Sequence, residues 1–111
     1  MLNQIVIAGR LTNDAELRKS ESGVYVCSMN IANNRKSGDK EETTFIEVVL
    51  FGNYAKAMSS HLLKSVAIDV VGKLVQDSWS SEDGKTHYKY KIIANDIGFR
   101  SYKSKKDDKD E

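Results

Sequence analysis

Three aromatic residues occupy strand positions where a soluble domain usually carries polar side chains. In the segment 45–51, the even-numbered positions are all aliphatic and form the predicted core face: Ile46, Val48 and Leu50. The opposite face carries Phe45, Glu47 and Phe51. Aromatic rings on an open face offer flat surfaces on which planar groups such as nucleobases stack. The alternative is that both phenylalanines pack against another subunit or under a helix.

The third aromatic residue, Trp79, is the only tryptophan in the chain. Like Asp69, Lys73 and Asp77, it stands at an odd-numbered position, and residues of the same parity (odd or even) project from the same face of a strand, so Trp79 lies on the polar face. It also stands just before a hairpin turn predicted at residues 81–84, where Asp83-Gly84 favours a tight turn, so the indole is a good platform for stacking bases. The alternative is a tryptophan that caps one end of a barrel.

Basic residues provide the second kind of contact that a nucleic acid would need. The candidates for contacting phosphates are Arg10, Arg18, Arg35, Lys36, Lys73, Lys89 and Lys91. The net charge is only +1, so binding by charge alone is disfavoured and stacking must contribute. Tyr88 is a further stacking candidate, although it shares its parity with Ile92 and is predicted to point inward.

No residue set has the spacing of a catalytic or metal site. Gly84-Lys85-Thr86 resembles the end of a P-loop, but Trp79 stands where the first glycine is required. His61 and His87 lack nearby partners at metal-ligand spacing. The acidic pairs read as solvated charges: Asp14 with Glu16, and Glu41 with Glu42. We therefore expect no enzymatic activity, no metal and no cofactor.

Hydrophobic periodicity predicts the elements that position these residues. Five strands are predicted at residues 4–11, 24–33, 43–51, 67–79 and 87–97. After Gly52 the period changes, and a helix of about three turns is predicted from an Asn53 N-cap to near Lys64 and Ser65. Gly72 predicts a bend or bulge within the fourth strand. The fold class is all-β with one small helix, and this order predicts a five-stranded OB-fold barrel.

Composition predicts one domain at residues 1–102 and a short, disordered, charged tail at 103–111. The single cysteine, Cys27, excludes an internal disulfide and is predicted to be buried. No apolar run is long enough to span a bilayer, and the N-terminus lacks the features of a signal peptide. We expect a cytoplasmic, nucleoid-associated protein without membrane contact.

From residue 2 to about 102, the sequence resembles the bacterial single-stranded DNA-binding protein family. The most specific matches are the Val48-Val49-Leu50-Phe51-Gly52 run and the spacing from it to Trp79, with Tyr88 nine residues later. The resemblance implies that Phe45, Phe51 and Trp79 stack bases, and that the protein is a homotetramer around which the strand wraps.

Three departures from the family pattern bear on function. The segment 33–36 lacks the aromatic residue that relatives often carry after the second strand, and the segment 75–78 lacks their arginines. The tail is acidic but interrupted by lysine and has no hydrophobic end, which predicts weak or absent recruitment of replication and repair proteins. Deletion of residues 103–111 is therefore expected to leave DNA binding nearly unchanged or slightly tighter.

The predicted function is sequence-independent binding and protection of single-stranded DNA during replication, recombination and repair. Two alternatives share the fold. One is a dimeric primosomal accessory protein, and the other is an OB-fold module whose aromatic face binds protein. A small hydrolase is a remote further alternative.

Overall fold

The computed structural model describes residues 1–101, which form six strands and one helix. The strands are β1 (Ile5–Leu11), β2 (Glu16–Lys19), β3 (Tyr25–Ser37), β4 (Lys40–Phe51), β5 (Ala67–Ser80) and β6 (Thr86–Phe99), and the helix α1 spans Gly52–Ser59. No helix in this part of the chain is long and apolar enough to cross a membrane. The predicted domain boundary at residue 102 and the predicted tail at 103–111 lie outside the described residues.

The strands form one sheet that closes on itself. Its order is β1-β5-β6-β4-β3-β2, and β1 also pairs with β3, which closes the barrel. All neighbouring strands are antiparallel except β4 and β6, which run parallel. The five long strands and the helix between the β3–β4 and β5–β6 pairs confirm the predicted all-β OB-fold barrel.

The barrel is filled by aliphatic side chains of inward parity. On β3 and β4 the residues buried in this way are Cys27, Met29, Ile31, Val48 and Leu50, and β5 and β6 add Ile68, Val70 and Ile92. Strict alternation in the sequence places these side chains on one face of each strand. Their burial is the main source of stability for a domain of this size.

Gly72 marks the bend that the sequence predicts. The β5–β6 register shifts between Val71 and Gly72, because β6 contributes one extra residue there. A Cβ atom at Gly72 would lie 2.2 Å from the carbonyl oxygen of Ile93 and 2.8 Å from Cα of Ala94. The close approach of two backbones therefore requires glycine.

Two strand predictions were incomplete. The four-residue β2 was not predicted because all its residues are exposed, so it has no hydrophobic alternation, and it forms by pairing with the edge of β3. β3 and β4 also extend further than predicted, to a hairpin in which Ser37 pairs with Lys40. Cross-strand hydrogen bonding continues along this polar hairpin although it buries no apolar face.

The helix is shorter than predicted, and its N-cap is Phe51 instead of Asn53. After Met58, the backbone makes i→i+3 bonds from His61 to Met58 (3.0 Å) and from Leu62 to Ser59 (3.3 Å). Leu62 is fully buried even though it lies beyond the helix. The spacing of the apolar residues correctly predicted that Leu62 is buried, but a tight turn after the helix, and not a third turn of the helix, places it in the core.

Two apolar residues lie in different environments from those predicted. Val49 has the outward parity of Phe45 and Phe51, yet it is only 4 % exposed between its neighbours Ser28 and Ile93. Leu74 has the parity of the core residues Ile68 and Val70, yet it is 38 % exposed. The reason is that the β1–β5 pairing ends at Gly72, so the hairpin beyond it projects past the barrel.

Candidate nucleic-acid interface

The two phenylalanines of β4 point out of the barrel, as the alternation predicts. Phe45 is 68 % exposed and Phe51 is 45 % exposed. Directly opposite on β3 are small or medium side chains, Ala32 beside Phe45 and Val26 beside Phe51. Each ring is therefore partly open to solvent. At about 3.3 Å per residue, the two residues are about 20 Å apart along the strand.

Trp79 lies on the projecting β5–β6 hairpin and is 50 % exposed. It pairs with His87 across the strands, and the two rings stack with centroids 5.6 Å apart and an interplanar angle of 22°. His87 Nε2 is in turn 3.0 Å from the hydroxyl of Ser81 in the hairpin turn. One side of the indole is therefore supported by the imidazole, which fixes the ring for stacking on its other side.

The hairpin turn itself is ordered by a short polar network. The carboxylate of Asp83 accepts hydrogen bonds from the Ser81 hydroxyl and from the Lys85 backbone N–H. These bonds, the Ser81 bond first, hold the pKa of Asp83 below its ordinary value. Gly84 adopts a positive φ of 81°, as predicted for the Asp-Gly turn. The turn thus positions Ser81, and through it His87.

Strand register places the aromatic residues of β4 and β5 on one continuous face. In the sheet, β6 lies between β5 and β4. Glu47 of β4 is opposite Lys91 of β6, and Lys89 of β6 is opposite Asp77 of β5. Because paired residues project to the same side, these charged residues lie on the face that carries Phe45 and Trp79. We call the face formed by Phe45, Glu47, Asp77, Trp79, His87, Lys89 and Lys91 the stacking face.

The lysines of the stacking face are already paired. Lys89 Nζ lies 3.5 Å from the Glu47 carboxylate, and Lys91 Nζ lies 3.0 Å from the Asp77 carboxylate. Both pairs are diagonal, and they slant in the same direction across the three strands. The site therefore combines open aromatic rings with cations that are partly neutralised.

Three other basic candidates stand at strand positions whose side chains point out of the barrel, around the stacking face. Arg10 is paired with Ala32, the residue beside Phe45, and its guanidinium donates to the Ser65 carbonyl at 2.9 Å. The other two are Arg18, opposite Val26 and hence on the Phe51 side, and Lys73, opposite Ile93. The outer surface thus carries a cation near each phenylalanine.

The remaining candidates lie on the two hairpins. Lys36 lies on the same face of the β3–β4 pair as Phe45. Arg35 lies on the opposite face, where its guanidinium is 3.2 Å from the Glu42 carboxylate. Tyr88 has the parity of Ile92, as predicted, but it lies beyond the end of the barrel and is exposed instead of buried. The structure therefore separates Arg35 and Tyr88 from the stacking face.

From the sequence alone, His87 has the pattern of an ordinary surface histidine, and Glu47 is only a polar neighbour of the phenylalanines. The signal for His87 was its place in the polar set with Lys89 and Lys91, opposite the strand that carries Trp79. The ion pair of Glu47 had no local signal, because it depends on the parallel pairing of β4 with β6.

Cys27 is buried in the barrel, as predicted, and burial raises the pKa of its thiol. Within residues 1–101, no group of three or more His, Cys, Asp or Glu side chains is arranged to hold a metal ion.

A family model described as the single-strand binding protein family matches residues 2–100. The chain belongs to this family. The match covers every element of the barrel, from β1 to β6.

Curated relatives are about a third or more identical to the chain over the aligned residues. A single-stranded DNA-binding protein of Treponema pallidum is 38% identical over 100 residues, covering 86% of this chain and 56% of the relative. Single-stranded DNA-binding protein 1 of Staphylococcus aureus (strain Mu50) is 34% identical over 110 residues, covering 96% of this chain and 70% of the relative. The chain therefore spans little more than half of the Treponema protein.

A solved structure described as a Plasmodium falciparum SSB complex with single-stranded DNA has the same fold. Its TM-score is 0.82 at 23% sequence identity, over 91% of this chain and 96% of the other. This likeness agrees with the OB-fold barrel derived from the strand register.

Proposed function

We propose that the protein binds single-stranded DNA without sequence preference and protects it during replication, recombination and repair. The observation that carries the proposal is the stacking face, where Trp79 on β5 and Phe45 on β4 are half or more exposed on either side of β6. Stacking needs only the flat surface of a base, so it is independent of sequence. The relatives named as single-stranded DNA-binding proteins support the same proposal.

In this proposal the aromatic residues hold bases and the cations contact the sugar-phosphate backbone. Phe45, Phe51 and Trp79 are the stacking residues. The proposed phosphate contacts are Arg10, Arg18, Lys36, Lys73, Lys89 and Lys91. Arg35 and Tyr88 stay predicted contacts, but they would have to reach the strand from the other face of their hairpins.

The test is a titration with oligo-dT that follows the fluorescence of Trp79, the only tryptophan. We expect saturable quenching, and much weaker binding of a duplex of equal length, in which the base faces are already stacked. Equal affinity for single strands and duplex, or no affinity for either, would instead favour an OB-fold module that binds protein.

We also propose that the protein is a homotetramer. The support is apolar surface on the single chain, since Leu2, Val6 and Leu74 are exposed. Light scattering at micromolar concentration tests this proposal. A mass near 12.5 kDa would contradict it, and a dimer mass would favour the primosomal accessory alternative.

A further inference from the structure

The stacking face contains as many carboxylates as lysines at its centre. Glu47 lies on β4, two residues from Phe45, and Asp77 lies on β5, two residues from Trp79. Each carboxylate engages a lysine of the intervening strand β6. The strands that carry the two stacking positions are thus bridged through β6 by two ion pairs that slant in the same direction.

These ion pairs are more shielded from solvent than typical surface pairs. In each pair one side chain is less than a third exposed, 25 % for Glu47 and 22 % for Lys91. Shielding strengthens the attraction between the charges and fixes their geometry. A strand crossing from Trp79 to Phe45 would therefore meet lysines that already have a partner.

We propose that Glu47 and Asp77 are built-in competitors of the DNA phosphates and set the affinity and salt dependence of the site. This inference rests on the proposed function. To contact Lys89 or Lys91, a phosphate must replace Glu47 or Asp77, or share the lysine with it. The strand is then held mainly by the aromatic rings, and the lysines add little net attraction.

Salt dependence follows from the same exchange. When a free lysine neutralises a phosphate, the DNA releases a condensed cation, which gives a slope of roughly −0.7 in log K against log salt for each contact on a single strand. When the lysine is taken from a carboxylate, that carboxylate attracts a cation from solution. The uptake offsets the release, so Lys89 and Lys91 contribute almost nothing to the slope.

The experiment compares Glu47→Gln and Asp77→Asn with the unmodified protein. Both substitutions keep the size and polarity of the side chain and remove its charge. Oligo-dT affinity is measured from about 50 to 300 mM NaCl, the range in which the counterion slope is usually resolved. We expect each variant to bind about twofold to fivefold more tightly at low salt, the range that corresponds to breaking one ion pair in which one partner is still about half exposed. The slope should become steeper by roughly 0.7 for each lysine set free.

Glu21→Gln is the matched control, because Glu21 is exposed in the turn between β2 and β3, away from the stacking face. It makes the same change in net charge and should leave the slope unchanged. An equal effect of Glu21→Gln and Glu47→Gln would overturn the proposal, since net charge alone would then explain the data. Unchanged or weaker binding by both stacking-face variants, with melting temperatures retained, would also overturn it.

The result is distinguishable from failure of the proposed function. If the unmodified protein does not bind oligo-dT, the proposed function itself fails. If it binds, but Glu47→Gln and Asp77→Asn leave affinity and slope unchanged, only the role of the carboxylates is wrong. If one variant is unstable, the other tests the same competition from the opposite strand.

Discussion

Replacing Trp79 with alanine is the most direct test of the stacking face. The indole is half exposed and supported on one side by His87, so it presents an open surface that a base covers. Trp79→Ala removes that surface and leaves the barrel core untouched, because the residue lies on the projecting hairpin. We expect a large loss of affinity and a small loss of stability.

The magnitude follows from the area involved. A tryptophan side chain offers roughly 200 Å² for burial, and half of it is open here, so a base covers about 100 Å². At about 25 cal/mol per Å², this contributes roughly 2.5 kcal/mol, within the range of about 1–3 kcal/mol measured for stacked bases. The expected loss in affinity is therefore roughly 5-fold to 150-fold. Loss of the contact with His87 should lower the unfolding free energy by only about 1 kcal/mol.

The assay is fluorescence anisotropy of a dye-labelled oligo-dT, because the variant has no tryptophan. Tyr90→Ala is the matched control, since Tyr90 is also 50 % exposed on the same hairpin but lies on the opposite face, opposite Gln76. Trp79→Phe should recover part of the affinity through its smaller ring. Thermal melts of all three variants separate binding from folding.

A Trp79→Ala variant that melts at a lower temperature but binds as tightly as the unmodified protein would refute base stacking by Trp79. That outcome would mean that Trp79 caps the hairpin and does not contact DNA. A loss with Tyr90→Ala as large as that with Trp79→Ala would show that the hairpin acts as a whole and that the stacking face has no special role.

Three further predictions concern the barrel. Gly72→Ala should lower the free energy of unfolding by about 1–3 kcal/mol, because the new methyl group meets backbone atoms of Ile93 that cannot rotate away. Denaturant titrations measure this loss, and an unchanged midpoint of unfolding would contradict the close approach of the two backbones. Phe51→Ala should lower oligo-dT affinity and also lower the free energy of unfolding by roughly 1–3 kcal/mol, since the ring is partly buried where the helix begins. Titrations and thermal melts measure the two effects, and a change in affinity alone would mean that the ring supports no packing. The Cys27 thiol should react with an aromatic disulfide reagent only after unfolding. Because its pKa is raised in the folded state, its contribution to stability is present below the ordinary thiol pKa of about 8.5 and is lost as the pH rises above it, which pH-dependent unfolding titrations measure.

Local patterns were sufficient to predict the arrangement of the long strands. Alternation separated Phe45 and Phe51 from the aliphatic core residues of β4, since successive side chains must point to opposite faces. Gly72 and the Asp83-Gly84 turn were predicted for a similar reason, because their conformations depend on the residues themselves.

Elements without a local signal were missed. β2 has no buried face, and it exists because β3 offers a free edge. The helix ends at Ser59 although the apolar spacing continues to Leu62, because a tighter turn buries Leu62 equally well. Tertiary packing, and not local preference, thus determined that β2 forms and where the helix ends.

The residues of the stacking face also show which features depend on the sequence of one strand and which depend on tertiary structure. By itself, the sequence determined which residues point outward on each strand, because parity is a property of one strand. Only the tertiary structure decided which of them meet. The parallel pairing of β4 with β6 brings Glu47 to Lys89, and the register of the hairpin stacks His87 on Trp79. These contacts join distant parts of the chain through strand pairing, and strand pairing is fixed by the closure of the whole barrel.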